Sequence, residues 1–153
     1  MSAQEETTAW LLTLGKNLHA AIGVNELVHI IDSSEVADLP AILTNRCKAI
    51  YWQGKDLTVI NLAKYFVDRT EIMFKSEPII GVVAYQSDVD DRLQYAGLLM
   101  TSIPIKKIVN NSSACDLPEP VHEWQCLAVS CFYDDGRQVP VLDLQAIFSS
   151  PLL

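Results

Sequence analysis

The constraint that bears hardest on how this chain folds is a pattern used twice. In Arg46 to Phe66, RCKAIYWQGKDLTVINLAKYF, an apolar run stops at a glycine, resumes as alternating Leu57 and Val59, and breaks at an asparagine before LAKYF. The same order returns in Gln125 to Phe148, QCLAVSCFYDDGRQVPVLDLQAIF. A shift of 82 positions lays Gly54, Val59, Leu62 and Phe66 on Gly136, Val141, Leu144 and Phe148, and pairs Lys55 with Arg137, Leu57 with Val139, Ile60 with Leu142 and Asn61 with Asp143. A glycine soon after an aromatic pair, followed by apolar residues at period two, predicts a hairpin. Asn61 and Asp143 each precede a short apolar-periodic segment and predict a helix start, because their side-chain oxygen accepts an orphan N–H of the first turn. Each unit reads strand, turn, strand, short helix. The incoming strands align with a three-residue insertion, RCKAI against QCLAV. Two such units imply related halves, each a small antiparallel sheet too modest to stand alone, with shared or abutting cores.

The rest of the chain fits that plan. Ala9 to Ile31, AWLLTLGKNLHAAIGVNELVHII, predicts a hairpin turning at Gly15-Lys16-Asn17 and then a further strand, with Ala20, Ile22 and Val24 on one side. DSSEVADLPAILTNR (Asp32 to Arg46) and NNSSACDLPEP are loops by composition. IIGVVAY (Ile79 to Tyr85) and LQYAGLLM (Leu93 to Met100) are two more strands, separated by the acidic tip QSDVDDR. At 153 residues the expectation is a single domain over 1–153, made of two intimately packed subdomains, the first repeat near 46–66 and the second near 125–148. A chain this long buries roughly 70% of its unfolded surface, enough for a real core.

Several function classes are disfavoured at once. No apolar run approaches the ~20 residues of a membrane span, and MSAQEETTAW has neither the basic start nor the apolar stretch of a signal peptide, so the expected address is the cytoplasm. The sequons at Asn110 and Asn111 would then carry no sugar. A net charge of −8, with 11 basic residues scattered along the chain, argues against a nucleic-acid binder. Cys47, Cys115, Cys126 and Cys131 include no C-x-x-C pair and are expected reduced and partly buried.

No catalytic set emerges. The three histidines, His19, His29 and His122, have no nucleophile elbow beside them, and no phosphate-cradling glycine motif occurs. His19 and His29 read as half-exposed strand positions. His122, Cys126 and Cys131 could be imagined as metal ligands, but the two cysteines would point to opposite faces of a regular strand. SDVDDR lacks the glycine and closing glutamate of a calcium loop and reads as a solvated turn. Asp143 reads as a cap rather than a catalytic carboxylate, since its counterpart is the uncharged Asn61. Trp52, at a strand end beside a turn, suits either a core or a protein-protein contact.

Taken in order, LLTLGKNLHAAIGVNELVHII, the Leu39-Pro40 pair, KAIYWQGKDLTVINL, AGLLMTSIPIKKIV (Ala96 to Val109) and VPVLDLQAIF make the chain resemble the CheW family, the adaptor proteins of bacterial chemosensory arrays, over nearly its whole length. The resemblance implies a mainly β fold: two related five-stranded antiparallel β-barrels of SH3-like type with short helices. It also implies a non-enzymatic adaptor without cofactor or metal, whose partners are a CheA-like histidine kinase and the cytoplasmic tip of a methyl-accepting chemoreceptor. The chain departs from the family signature at Lys48 (usually glycine), Gln53 (arginine), Thr58 (proline), Asn61 (aspartate) and His29 (glutamate), while Gly54, Pro140 and Asp143 are retained. A forked arginine ion pair could not form with Gln53. These departures imply a divergent member with altered partner choice, in chemotaxis or pilus-type motility, and make His29, Lys48, Gln53 and Gly54 the expected partner-facing residues. The alternative is a small β-barrel ligand-binding or enzyme module with an acidic site for a cationic substrate, which would need convergent polar groups in a pocket.

Overall fold

Two reverse turns set the frame. Gln53 and Gly54 both hold positive φ (49° and 79°), as do Asp135 and Gly136 (51° and 76°). Two consecutive left-handed residues make a turn whose twist matches the strands it joins, so Trp52 pairs directly with Lys55 and Asp134 with Arg137. The computed structural model describes residues 6–15, 17–32, 35, 47–66, 78–87 and 92–149. Its elements in chain order are β1 (Glu6–Gly15), β2 (Leu18–Gly23), β3 (Leu27–Ile31), β4 (Cys47–Trp52), β5 (Lys55–Ile60), α1 (Leu62–Phe66), β6 (Ile79–Gln86), β7 (Leu93–Met100), β8 (Ile105–Asn110), α2 (Val121–Gln125), β9 (Ala128–Asp134), β10 (Arg137–Leu142) and α3 (Leu144–Ser149).

Among the described residues these strands form two five-stranded sheets, ordered β8-β1-β2-β10-β9 and β3-β6-β7-β5-β4. Neighbours are antiparallel except at one junction in each sheet. There β5 lies parallel to β7 through Val59 and Gly97, and β10 lies parallel to β2 through Val141 and Ala21. Val59 and Val141 are repeat partners, so the two hairpins dock on their sheets at equivalent points. The sheets are not successive halves of the chain, however. The second takes β3 to β7 in order, whereas the first joins β1 and β2 to β8, β9 and β10.

Side-chain burial explains the apolar runs that lack alternation. Leu12, Leu14, Ala20 and Ile22 of the first sheet and Ile60, Ala96, Leu98 and Met100 of the second share one cluster between the sheets. The opposite faces fill the interiors of the two curls, with Ala9, Leu11 and Ala21 in one and Leu57, Val59 and Leu99 in the other. A strand covered on both faces reads as a continuous run, as in LLTL and AGLLM. Gly97 is needed where β7 is most crowded: a Cβ there would lie 2.8 Å from Ile80 Cγ2 and 2.9 Å from Val59 Cγ2. The two short helices lock the sheets reciprocally. α1, which follows the second sheet's hairpin, packs on β1 of the first sheet, while α3, which follows the first sheet's hairpin, packs on β6 of the second. Phe66 stacks on Trp124 at 4.3 Å between ring centroids, and its repeat partner Phe148 on Tyr85 at 5.3 Å.

Some expectations need correction. Val24 does not continue the Ala20–Ile22 stripe: β2 ends at Gly23, and Val24 sits in the following turn, where its carbonyl accepts from Trp10 Nε1 at 3.1 Å. The insertion between RCKAI and QCLAV shrinks to one residue. Both hairpins keep one register back from the turn, Ile50 opposite Leu57 and Phe132 opposite Val139, so the 82-residue shift holds as far as Lys48 and Ser130; beyond them the second hairpin slips by one residue, with Ala128 opposite Leu142 where Cys47 faces Ile60. Gln125 lies in α2 and Cys126 just after it, because Trp124 anchors VHEWQ as a helix in the shared core. The loop NNSSACDLPEP holds a 3-10 turn, Asn111–Ser113, and then pairs with β9. Most of the predicted 32–46 loop and of the acidic tip lies outside the described residues, as does Lys16.

Leu62 and Leu144, each almost wholly buried, belong to the same cluster. Leu62→Ala and Leu144→Ala are each expected to cost about 2–5 kcal/mol in denaturant unfolding. Amide exchange should accelerate in β1–β2 and β6–β7 together in both variants; acceleration confined to one sheet would show separate cores.

Candidate functional site

Each sheet curls until its two edge strands meet, and the chemistry of the two closures differs. In the second sheet β3 meets β4 through the rings of His29 and Trp52, 5.6 Å apart and tilted by 32°. In the first, β8 meets β9 through Lys107 Nζ and Asp134 Oδ1 at 3.6 Å. Asp134 Oδ2 lies 3.7 Å from Arg137, whose Nη1 donates to His19 Nε2 at 2.9 Å. Burial first, and the Arg137 charge second, lower the His19 pKa against the pull of Asp134, which keeps its ring neutral and able to accept.

The His29–Trp52 closure sits beside the Gln53-Gly54 turn, so three of the four residues singled out in the sequence gather at one end of the second sheet. His29, Gln53 and Gly54 are all exposed there. Lys48 lies further along β4, paired through its backbone with Val59; its side chain lies outside the described residues. Trp52 takes the core side of its two expected uses, half-buried against the second sheet's interior, with its ring beside that of His29. Tyr51, 77% exposed, was not singled out in the sequence, and neither was its repeat partner Tyr133, 54% exposed. The 82-residue shift pairs these tyrosines, a signal hidden by the supposed insertion.

A second feature lies between the sheets, a groove of about 780 Å³. Ile22, Leu142, Val129, Phe132 and Tyr85 give it apolar walls, and Glu6, Glu26 and Asp143 bring carboxylates. Two of these carboxylates have backbone partners: Asp143 Oδ1 caps α3 by accepting from the Ala146 N–H at 3.1 Å, and Glu26 Oε1 accepts from the Gly23 N–H at 2.6 Å. Burial raises the Glu26 pKa above the ordinary carboxylate value; the Gly23 hydrogen bond opposes this, and the Asp143 charge adds to it. Asp143 therefore caps its helix as expected. Among the described residues no three His, Cys, Asp or Glu side chains gather as metal ligands, and Cys131 lies against Cys115 rather than Cys126. No helix among them is long and apolar enough to cross a membrane.

A carboxyl whose folded pKa is raised binds its proton more readily when folded, so stability falls as pH rises from the unfolded value through the folded one. Glu26→Gln keeps the acceptor for Gly23 and removes the charge. Thermal melts should show the variant at least as stable as the parent at pH 7, with the difference vanishing below pH ~4. A variant less stable at pH 7 and equally so at pH ~4 would show that the ionised carboxylate contributes favourably.

No family model matches the sequence, and no curated protein matches it. Among solved structures, the crystal structure of the scaffolding protein TtCheW from Thermoanaerobacter tengcongensis is similar with a TM-score of 0.66, over 96% of this chain and 95% of that one, at 14% sequence identity. The likeness extends over the double-sheet frame from end to end: the chain has a CheW-like fold.

Proposed function

We propose that this protein is a non-catalytic adaptor that couples the cytoplasmic tip of a methyl-accepting chemoreceptor to a CheA-type histidine kinase. The observation that carries this reading is the CheW-like fold along essentially the whole chain. The protein would then work in the cytoplasm, recruited to membrane-associated receptor arrays. The inter-sheet groove, apolar and bordered by exposed Val129, suits the apolar face of a receptor helix. The end of the second sheet, with exposed Tyr51, the Gln53-Gly54 turn and His29, suits the kinase, since exposed aromatics beside a rigid turn are frequent anchors. Signals would pass as small shifts in packing between partners, with no bond made or broken. A ligand-binding or enzymatic role has less support, because two of the three carboxylates lining the groove, Glu26 and Asp143, are engaged by backbone N–H groups.

Co-sedimentation of the purified chain with a receptor cytoplasmic fragment and a CheA-type kinase tests the proposal; failure to bind either would overturn it. Val129→Asp, at a site 65% exposed, should weaken receptor binding at least fivefold with little change in kinase binding or melting temperature. Gln53→Arg restores a forked donor and should strengthen kinase binding roughly two- to fivefold, the range of an exposed ion pair. No change on that substitution would show that position 53 does not set partner choice.

A further inference from the structure

The seam that closes the first sheet contains a feature that an adaptor role does not require. After β8 the chain returns to β9: Ala114 bridges Phe132 in antiparallel fashion, and the Cys115 N–H donates to the Cys131 carbonyl at 3.0 Å. Cys115 and Cys131 thus stand directly opposite each other, a placement in which Cα atoms lie about 5.5 Å apart, inside the ~4.4–6.8 Å range that a disulfide spans. Their sulfurs are already in contact, Sγ to Sγ 3.4 Å. Cys131 is buried and Cys115 is partly exposed.

We propose that Cys115 and Cys131 form a reversible dithiol–disulfide site, oxidised by hydrogen peroxide, that locks the segment after β8 onto β9. Cys115, the more exposed thiol, gives its proton to water and attacks the peroxide. The O–O bond breaks, one oxygen stays on the sulfur as a sulfenic acid, and the other leaves as hydroxide and is protonated to water. The Cys131 sulfur then attacks the sulfenic sulfur. The S–O bond breaks, the S–S bond forms, and the departing hydroxide carries off the Cys131 proton as a second water. Two thiols are oxidised and one peroxide is reduced to two waters, and a small-molecule thiol reverses the change.

Burial and then the contact with Cys115 push the Cys131 thiol up to about 12, so at neutral pH it is inert towards outside reagents. It reacts with the sulfenic acid because that group forms beside it. A cross-link in the reducing cytoplasm would be transient, as is usual for redox-responsive pairs. Cys131, Ala114 and Phe132 also line the inter-sheet groove, so the bond would stiffen one of its walls.

The test uses the full chain carrying Cys47→Ser and Cys126→Ser, which leaves the pair as the only thiols. Mild peroxide should abolish both titratable thiols and lower the intact mass by two hydrogens, with peptide mapping showing Cys115 linked to Cys131 in a monomer. The melting temperature should rise by roughly 5–10 °C, as expected for closing a loop of this length, and dithiothreitol should reverse every change. Adding Cys115→Ser should abolish the mass loss and the thermal shift. Retention of free thiols, a gain of oxygen mass, or a cross-link between two chains would overturn the proposal. Peptide mapping of the oxidised parent chain decides the same question should the double variant fold poorly: a Cys115–Cys131 link supports the site, and any other product overturns it.

Discussion

The structure depends on the apolar core that its two sheets share. A five-stranded sheet of this size has two faces to cover, and the interior of its own curl covers only one. The other face of each sheet, Leu12 and Ile22 on one side and Leu98 and Met100 on the other, is covered by the partner sheet together with Trp124, Leu127 and the apolar faces of the short helices. The short helices make that exchange mutual. α1 leaves the second sheet to pack on the first, α3 does the reverse, and the phenylalanine ending each repeat stacks on an aromatic of the opposite half. Residues identical between the repeats, such as Leu62 with Leu144 and Phe66 with Phe148, therefore lie where the halves meet. Their identity records a common packing problem rather than a common ligand.

The two halves differ in how their seams close. Both curls must bring their edge strands together, but an aromatic contact does so in one and an ion pair in the other. The pair Lys107–Asp134, with the lysine largely in water and the aspartate part-buried, is joined in that closure by the backbone pairing of Ala114 and Cys115 with β9. The closure built from His29 and Trp52 sits beside exposed Tyr51 and the exposed Gln53-Gly54 turn. The frame itself is shared with TtCheW at 14% sequence identity.

Much of the local structure was legible in the residues. The turns at Gly54 and Gly136 were readable because a tight hairpin requires two left-handed residues and glycine adopts that conformation freely; the cap at Asp143 was readable because its geometry is set within four residues. Of the candidate site, His29, Gln53 and Gly54 were legible in the sequence, whereas Tyr51, Tyr133 and the groove were not. Exposure of a tyrosine on a strand depends on which face the sheet turns outward. A groove has no sequence signature at all, because its walls come from segments far apart in the chain.

By itself the sequence determined the two hairpin–helix units, their turns, and the apolar positions that had to be buried, since these follow from φ preferences, capping and periodicity over a few residues. Only the tertiary structure decided that β1 and β2 complete the sheet made by β8 to β10, that VHEWQ coils into a helix to place Trp124 in the core, and that Cys115 faces Cys131. The physical reason is range. Local preferences act between neighbours in sequence, whereas the choice of which strand covers which face is settled by total apolar burial and by satisfying every edge, and those are properties of the whole chain at once.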